Sequence, residues 1–217
     1  MQLGRDISAV VTGGASGLGE GVVRALVGRG VRVAIFDRGE AAGARVAAET
    51  GALFCAVDVG DPASVAEGFA AARAANGAER VLVACACIAP AERTVTKRGA
   101  HDPAIFERAV RVNLLGVFNC ATQAAAAMAA LEPVGPGGER GVIVNTASIA
   151  AYEGQIGQIA YAASKAGVAG MTLPMARDLA RHAIRVVAIA PGLFMTPMIA
   201  GFSQEFQDAL VSKLEFP

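Results

Sequence analysis

Three residues in the second half of the chain have the types and spacing needed for proton transfer. Tyr161 and Lys165 stand four residues apart in the stretch QIAYAASKAGVAGM, and Ser148 comes thirteen residues before the tyrosine. A spacing of four places two side chains on one face of a helix. A tyrosine with a pKa of about 10 is a poor base, so we expect the Lys165 ammonium to lower the pKa of Tyr161. With Ser148 donating a hydrogen bond to a substrate oxygen, this group could remove an alcohol's hydroxyl proton while hydride leaves for a nicotinamide.

A second group of residues, TGGASGLG at 12–19, follows a short β-branched run and begins a helical pattern. Gly13 and Gly17 can adopt backbone angles that other residues avoid, and Gly19 lets helix and strand approach closely. The free N–H groups at the helix N-terminus, with the Ser16 hydroxyl, could bind a pyrophosphate. Taken alone, a glycine-rich turn also fits an ordinary tight turn, and Tyr-x-x-x-Lys fits an ordinary surface helix. The interpretation therefore depends on finding both in one chain.

Acidic residues follow at the ends of the next two predicted strands. Asp37 lies about 20 residues after the glycine-rich loop, where a carboxylate can accept hydrogen bonds from the adenosine ribose hydroxyls. A carboxylate there repels a 2′-phosphate, which favours NAD over NADP, although Arg38 beside it works against this preference. A solvated acid at a strand end is the alternative for Asp37. Asp58 and Val59 end the third predicted strand at the same edge and could contact the adenine.

The elements that must position these residues alternate between short β-branched runs and longer alanine-rich stretches with helical spacing. Near-continuous apolar strands indicate burial on both faces, as in a parallel sheet covered by helices. We therefore predict an α/β fold, a Rossmann-type doubly wound parallel sheet in three α/β/α layers, built as a single dinucleotide-binding domain over residues 1–217. The predicted strands cover 8–12, 31–37, 52–58, 80–86, 141–147 and 184–190, a long helix covers 103–131, and loops cover 89–103, 132–141 and 194–210.

The composition argues against several classes of function. Lysine plus arginine equal aspartate plus glutamate at 19 each, so nothing suggests nucleic acid or an acidic membrane surface as a partner. No apolar run reaches the roughly 18 residues that a membrane helix needs, and no signal peptide or presequence is visible, so we expect a cytoplasmic protein. The four cysteines are expected to be free thiols. Cys85-x-Cys87 has no second pair of cysteines, so we expect no metal site.

Together these features resemble the classical short-chain dehydrogenase/reductase family. The resemblance rests on TGGASGLG, on Asn113 in VNLLG, on Ser148 and on Tyr161-x-x-x-Lys165, which occur in the family's order and spacing across essentially the whole chain. It implies an NAD-dependent enzyme that interconverts a secondary alcohol and a ketone by hydride transfer. It also implies a catalytic set of Asn113, Ser148, Tyr161 and Lys165, in which Asn113 holds a water that links Lys165 to solvent.

Two longer stretches, 140–180 and 189–198, resemble one subgroup of the family, the type-2 3-hydroxyacyl-CoA dehydrogenases. This implies a 3-hydroxyacyl-CoA as substrate. A steroid or another apolar secondary alcohol is the alternative substrate, and a binding or scaffold subunit of low activity is a different class of function. The resemblance places Gln158 and Gln155 on the substrate side, with Ser148 and Tyr161. The residues that it implies bind NAD are Gly13, Ser16, Gly17, Leu18, Gly19, Asp37, Asp58, Val59, Cys85, Tyr161, Lys165, Phe194 and Thr196.

The sequence departs from this subgroup in two places. Where the subgroup's fourth strand usually ends Asn-Cys-Ala-Gly, this chain has Ala84, Cys85, Ala86 and Cys87. Without the asparagine side chain, the fourth strand should be held less well by its neighbours. The Cys87 side chain should crowd the cofactor, so we expect weakened NAD binding. A small loop shift that absorbs the change is the alternative. The chain also ends at SKLEFP, where the family continues to a final strand, so we expect an exposed sheet edge and a homodimer or homotetramer.

Overall fold

Strands and helices alternate along the chain, as the sequence pattern predicts. The computed structural model describes residues 1–201 and 204–212, so the chain end at 213–217 lies outside the described part. The first half contains β1 (Ser8–Thr12), α1 (Gly17–Val27), β2 (Arg32–Asp37), α2 (Glu40–Thr50), β3 (Leu53–Ala56), α3 (Pro62–Asn76), β4 (Val81–Ala84), β5 (Val95–Thr96) and β6 (Gly99–Ala100). The second half contains α4 (Pro103–Val110), a π-helical turn (Arg111–Leu115), α5 (Gly116–Ala129), β7 (Gly141–Thr146), a 3₁₀ turn (Ile149–Ala151), α6 (Ile159–Ala180), β8 (Ile184–Ile189), α7 (Pro197–Ala200) and α8 (Gln204–Val211).

Six strands form one parallel sheet in the order β3-β2-β1-β4-β7-β8. The chain builds outward from β1 in one direction and then returns to build outward from β4 in the other. Helices α1 and α2 pack on one face around Val23 and Ile35. Helices α3, α5 and α6 pack on the other face around Phe36, Phe69 and Met128. The three-layer α/β/α arrangement confirms the predicted fold class, and the reversal between β1 and β4 opens a cleft at the carboxyl ends of the strands.

β1 covers the predicted residues 8–12, and the other five strands of the main sheet are shorter than predicted. β4 ends at Ala84 and not at residue 86, and β3 covers Leu53–Ala56 and not 52–58. The apolar composition continues past each ladder because the following residues still border the interior, although their backbone has left the sheet. Beyond β4, the Ala86 N–H donates to the Thr12 hydroxyl oxygen at 3.0 Å. These strand extensions form the rim of the cleft.

The predicted long helix over 103–131 contains an irregular turn that the sequence did not reveal. α4, the π-helical turn and α5 form one continuous helix from Pro103 to Ala129, and Asn113 lies in the wide turn. By length and composition alone this helix could cross a membrane. That is weak evidence, because Cys120, Ala121 and Met128 on α5 are fully buried in the core beneath the sheet.

Two segments predicted as loops contain regular structure. The 89–103 loop carries a short antiparallel hairpin formed by β5 and β6. The 194–210 segment includes the short helices α7 and α8. At the far side of the main sheet, β8 is the edge strand in the described part of the chain, and Val187 and Ile189 on it are 45% and 48% exposed. This matches the exposed edge expected for that strand.

Candidate active site

A cavity of about 370 Å³ lies in the cleft where the sheet reverses. Ligands of doubly wound sheets bind at this point. The loop after β1, the ends of the neighbouring strands, helix α6 and the segment after β8 together form its wall. The residues expected to bind cofactor or to react that line this cavity are Gly13, Ser16, Gly17, Leu18, Gly19, Asp37, Asp58, Val59, Cys85, Ser148, Tyr161, Lys165, Phe194 and Thr196.

The glycine-rich loop is packed too closely for side chains at two positions. Gly13 has a φ of +66°, and a Cβ there would lie 2.7 Å from the backbone nitrogen of Ala86. A Cβ on Gly19 would collide with the carbonyl oxygen of Gly13. The loop therefore brings its backbone and the N-terminus of α1 directly to the cavity, which is the cradle that a pyrophosphate requires. The residues present fit a dinucleotide.

Asp37 ends β2 as predicted, whereas Asp58 lies two residues beyond the end of β3; both border the cavity, and each carboxylate accepts backbone N–H groups. Asp37 accepts from Ala15 at 3.1 Å and from Gly39 at 2.9 Å, which ties the end of β2 to the glycine-rich loop. Asp58 accepts from Gly60 at 2.9 Å. Arg38 is 74% exposed and its Nε lies 3.9 Å from the Asp58 carboxylate. The Arg38 guanidinium therefore lies beside Asp58, whereas the Asp37 carboxylate borders the cavity with backbone N–H groups as its partners.

Ser148, Tyr161 and Lys165 meet on the floor of the cavity. Ser148 follows β7 and caps the 3₁₀ turn, because its Oγ accepts the Ala150 N–H at 3.1 Å. The Ser148 side chain lies close enough to the Tyr161 hydroxyl to lower the pKa of the phenol. Lys165 is only 1% exposed, and its Nζ donates to the Thr146 carbonyl oxygen at 2.7 Å. Tyr161 and Lys165 lie together on α6, as their spacing predicted, and the turn after β7 brings Ser148 to the same cavity.

The pKa of Tyr161 moves opposite to the sequence prediction. The pKa of Tyr161 is raised to about 12, chiefly by burial and secondly by negative charge on Cys87, while the Ser148 side chain acts in the opposite direction. Lys165 does not reverse this effect; its Nζ lies 5.8 Å from the centre of the Tyr161 ring. Burial also lowers the pKa of Lys165, because an ammonium is poorly solvated there. The prediction failed because it counted the nearby charge and not the desolvation of the phenolate.

Asn113 lies behind the cavity and clamps its wall. Its Oδ1 accepts the Ile88 N–H at 2.8 Å, and its Nδ2 donates to the Ile88 carbonyl at 2.9 Å. The same Nδ2 lies 3.0 Å from the Ser164 Oγ, which in turn donates to the Tyr161 carbonyl at 2.7 Å. Asn113 thus links the strand end after β4 to helix α6. Sequence reasoning missed both Ile88 and Ser164; the serine one position before Lys165 was the available signal.

The two departures from the expected strand ending lie at the last residue of β4, Ala84, and three residues beyond it, at Cys87. The thiol of Cys85 lies 3.6 Å from the Thr146 hydroxyl, and burial raises its pKa. Cys87 lines the cavity and is partly buried. Ala84 lies in the sheet directly beside Asn145 of β7. Both amide atoms of Asn145 are buried and have no hydrogen-bond partner among the residues that the structure describes.

Gln158 and Gln155, which were expected on the substrate side, lie in a neighbouring cleft. That cleft runs between residues 92–95 and 154–162 and does not include the Tyr161 hydroxyl. The Gln158 Oε1 accepts the Gln155 N–H at 2.9 Å. Their part in substrate binding stays a prediction. Within residues 1–201 and 204–212, no group of three or more histidine, cysteine or acidic side chains could hold a metal ion.

A glycine cradle at the reversal of a doubly wound sheet, with a half-buried tyrosine and a buried lysine beside it, defines a nucleotide-dependent α/β enzyme. A family model described as short chain dehydrogenase matches residues 8–206, and the chain belongs to that family. It is therefore an oxidoreductase that uses a nicotinamide cofactor.

Individual relatives agree with this assignment. Two proteins named 3-hydroxyacyl-CoA dehydrogenase type-2, from Bos taurus and Homo sapiens, are each 44% identical over 217 residues, which covers 98% of this chain and 83% of the relative. The crystal structure of 3-hydroxyacyl-CoA dehydrogenase type-2 from Mycobacterium avium has a TM-score of 0.90 at 42% identity, covering 98% of this chain and 83% of that one. The 3-ketoacyl-(acyl-carrier-protein) reductase from Brucella melitensis, complexed with NADH, has a TM-score of 0.81 at 31% identity, covering 94% and 82%.

Proposed function

We propose that this chain is an NAD-dependent dehydrogenase that interconverts a short or branched 3-hydroxyacyl-CoA and the corresponding 3-oxoacyl-CoA. The observation that carries the proposal is the meeting of Ser148, Tyr161 and Lys165 on the floor of a cavity walled by a glycine cradle. The substrate is proposed because relatives 44% identical to this chain are named for that reaction.

The preference for NAD rests on Asp37. Its carboxylate lies at the cavity rim after β2, where it would face the ribose of the adenosine half and repel a 2′-phosphate. Arg38, the cation that could offset this repulsion, is directed toward Asp58. We therefore propose that Asp37 decides between the two cofactors.

The protein's own residues handle the proton. Ser148 and Tyr161 present two hydroxyls that can hold one substrate oxygen between them. Because the pKa of Tyr161 is raised to about 12, the tyrosine is a neutral phenol at neutral pH and is ready to donate its proton to a ketone oxygen. In the reverse direction the phenol must first lose its proton to solvent. The Tyr161 phenolate then accepts the alcohol proton, with the Lys165 ammonium 5.8 Å from the ring centre as the nearby positive charge. The nicotinamide, when bound, supplies or accepts the hydride.

Turnover of a substrate panel tests this proposal. NADH formation would be followed by absorbance with 3-hydroxybutyryl-CoA, a steroid alcohol and simple secondary alcohols, each with NAD and with NADP. We expect the CoA ester with NAD to give the highest kcat/KM. Tyr161→Phe should abolish turnover while the protein stays folded by circular dichroism. Tyr152→Phe is the matched control, because Tyr152 is 76% exposed and lies outside the cavity.

Each outcome of the panel has a distinct meaning. Faster turnover of the steroid alcohol would replace the proposed substrate and leave the chemistry intact. A folded protein that binds NADH but turns over nothing in the panel would contradict the proposed reaction. Full activity of Tyr161→Phe would contradict the assignment of the proton donor.

Assembly and compartment extend the proposal. We propose a homodimer or homotetramer, because Leu115 and Phe118, one turn apart on the long helix, are 48% and 50% exposed. The cytoplasm stays the proposed compartment on the ground of the sequence alone. Apolar side chains so exposed on one helix favour association. Sedimentation velocity of the wild type and of Phe118→Asp would test this, and an unchanged monomer in both would contradict it.

A further inference from the structure

The neighbouring cleft has a volume of about 560 Å³, and the start of helix α6 borders both this cleft and the active-site cavity. Tyr161 and Lys165 of the helix line the cavity. Ile159 and Ala162 of the same helix line the neighbouring cleft, and Ala162 directly follows the tyrosine. A substrate whose oxygen is held at the Tyr161 hydroxyl therefore begins next to this second space.

The size of the cavity limits what it can hold besides the cofactor. Its volume of about 370 Å³ lies near the lower end of the range of roughly 300–1,000 Å³ that is usual for small-molecule sites. A dinucleotide in the glycine cradle leaves room there for the reacting carbon and oxygen, but little for a chain. The rest of a larger substrate must therefore lie outside the cavity.

Apolar side chains line the neighbouring cleft on both sides. Val95 of the β5–β6 hairpin is 72% exposed, and Ile156, before α6, is 76% exposed. Ile159 lines the cleft beside them. Large apolar side chains that lie open to solvent around one concave surface indicate a binding site for an apolar group. In the proposed substrate that group is the acyl chain, because the CoA half carries phosphates and amides.

Glu92 joins the two walls of the neighbouring cleft. Its N–H donates to the Gly157 carbonyl at 2.9 Å, which ties the segment after β4 to the turn before α6. Its side chain is 8% exposed, and the carboxylate accepts from Arg98 Nη2 at 3.0 Å and from the Asp102 N–H at 2.8 Å. One residue thus holds the hairpin, the start of α4 and the approach to α6 together, so the cleft has a fixed width.

We propose that the neighbouring cleft is the acyl-chain site of this enzyme and that Glu92 is the positioning residue that sets its width. The inference rests on the proposed function, because it assigns one half of the proposed substrate to a place in the structure. The alcohol oxygen lies at Ser148 and Tyr161, and the chain beyond the third carbon passes the start of α6 into the cleft. Straight chains of medium length then become substrates in addition to short and branched ones.

The first test is the dependence of turnover on chain length. The protein would be assayed with NAD and straight-chain 3-hydroxyacyl-CoA esters of four, six, eight and ten carbons. Each methylene that leaves water for an apolar site strengthens binding by up to about fourfold, so we expect kcat/KM to rise at least about threefold per two-carbon step. The gain should appear in KM and not in kcat, because the chain is bound equally in the ground state and the transition state.

A charge placed in the cleft tests the site directly. Ile156→Asp should lower the ratio of kcat/KM for the ten-carbon ester to that for the four-carbon ester by at least about tenfold. Leu173→Asp is the matched control, because Leu173 is an exposed apolar residue of α6 that lies outside the neighbouring cleft. It should keep the wild-type ratio. Titration with NADH checks that the cofactor cavity is intact in both variants.

The part played by Glu92 is tested with the same ratio. Glu92→Ala removes the carboxylate contacts and should lower the ratio by at least about fivefold through KM. Glu92→Gln keeps the length of the side chain and an acceptor oxygen, so it should restore most of the wild-type ratio. Glu107→Ala removes an exposed carboxylate from α4, outside the cleft, and serves as the control. A general loss of folded protein would lower activity on all esters alike and leave the ratio unchanged.

The outcomes separate this inference from the proposed function. If Ile156→Asp lowers kcat/KM by one factor for every ester, the cleft binds the CoA half, and if it changes nothing, the cleft binds no part of the substrate. Either result overturns the acyl-chain site while the dehydrogenase proposal stands. A wild-type ratio in Glu92→Ala would contradict the role of Glu92. If the wild type binds NADH but oxidises no ester, the proposed function is wrong and the acyl-chain site falls with it.

Discussion

Ala84 and Asn145 lie side by side on β4 and β7, and the amide group of Asn145 is buried there without a hydrogen-bond partner among the described residues. On its other side Asn145 is in register with Ala188 of β8, so a buried amide stands between two methyl groups. An unpaired buried polar group costs about 1–3 kcal/mol. Ala84, where the resemblance led us to expect an asparagine, thus stands beside a buried amide that the described residues leave unpaired.

Restoring an amide at position 84 should stabilise the fold. We expect Ala84→Asn to raise the free energy of unfolding by about 1–2 kcal/mol, because its side chain can pair with Asn145. Urea denaturation followed by circular dichroism measures this. Ala84→Leu adds similar volume without an amide and should give no gain. Equal stabilisation by both variants, or by Ala84→Asn in an Asn145→Ala background, would contradict the pairing.

Removal of the Cys87 side chain should strengthen cofactor binding. The sulfur lines the cavity, and an overpacked site costs about 1–3 kcal/mol, so we expect Cys87→Gly to bind NADH at least about fivefold more tightly. Calorimetric titration measures the affinity directly. Cys120→Ala, a change in the buried core, is the control and should leave it unaltered. Unchanged affinity in Cys87→Gly would mean that the backbone already accommodates the sulfur.

Loss of the Asn113 clamp should destabilise the wall of the cavity. Asn113→Ala removes bonds to the N–H and carbonyl of Ile88 and to Ser164, so we expect a loss of about 2–4 kcal/mol in unfolding free energy. Asn119→Ala is the matched control from the same helix, because the Asn119 Nδ2 donates one bond, to the Val59 carbonyl at 3.0 Å. It should cost about 1 kcal/mol. Urea denaturation measures both variants. Equal losses of unfolding free energy would contradict the larger contribution that we assign to the Asn113 hydrogen bonds.

Neutralising Asp37 should shift the cofactor preference. Asp37→Asn keeps the size of the side chain and an oxygen acceptor, but it removes the charge that repels a 2′-phosphate. We expect the ratio of the NADPH to the NADH dissociation constant to fall by about tenfold. The control is Asp61→Asn at the N-cap of α3, whose carboxylate accepts the Ala63 N–H away from the cavity. If the ratio of the two dissociation constants changes equally in both variants, Asp37 does not discriminate between the two cofactors.

The phenol of Tyr161 should titrate only in strong alkali. Its pKa in the folded protein is raised to about 12, above the ordinary value of about 10, so the phenolate should form near pH 12. Between these pH values the unfolded chain loses the proton and the folded one keeps it, so stability falls as the pH rises through this window. Ultraviolet titration of Tyr152→Phe isolates the signal, because Tyr152 is the other tyrosine in the sequence. Phenolate formation near pH 10 would contradict the effect of burial.

Much of the site could be predicted because it depends on local spacing. The glycines of 12–19 and the tyrosine and lysine four residues apart act through the geometry of one turn or one helix, which sequence spacing encodes directly. Asp37 was placed correctly because parallel strands end at a common edge. Gln158 was placed by resemblance alone, and the structure puts it in the neighbouring cleft.

The sequence by itself thus determined the alternation of strands and helices, the phosphate loop and the Ser148, Tyr161 and Lys165 set, because periodicity and short-range geometry are properties of the chain. Only the tertiary structure decided the sign of the Tyr161 pKa, since desolvation depends on which distant residues bury the phenol. It also decided that Asn113 clamps Ile88 and that Asn145 lies unpaired beside Ala84. Those relationships join residues 25 and 61 positions apart, and no local pattern records which side chains a folded core brings together.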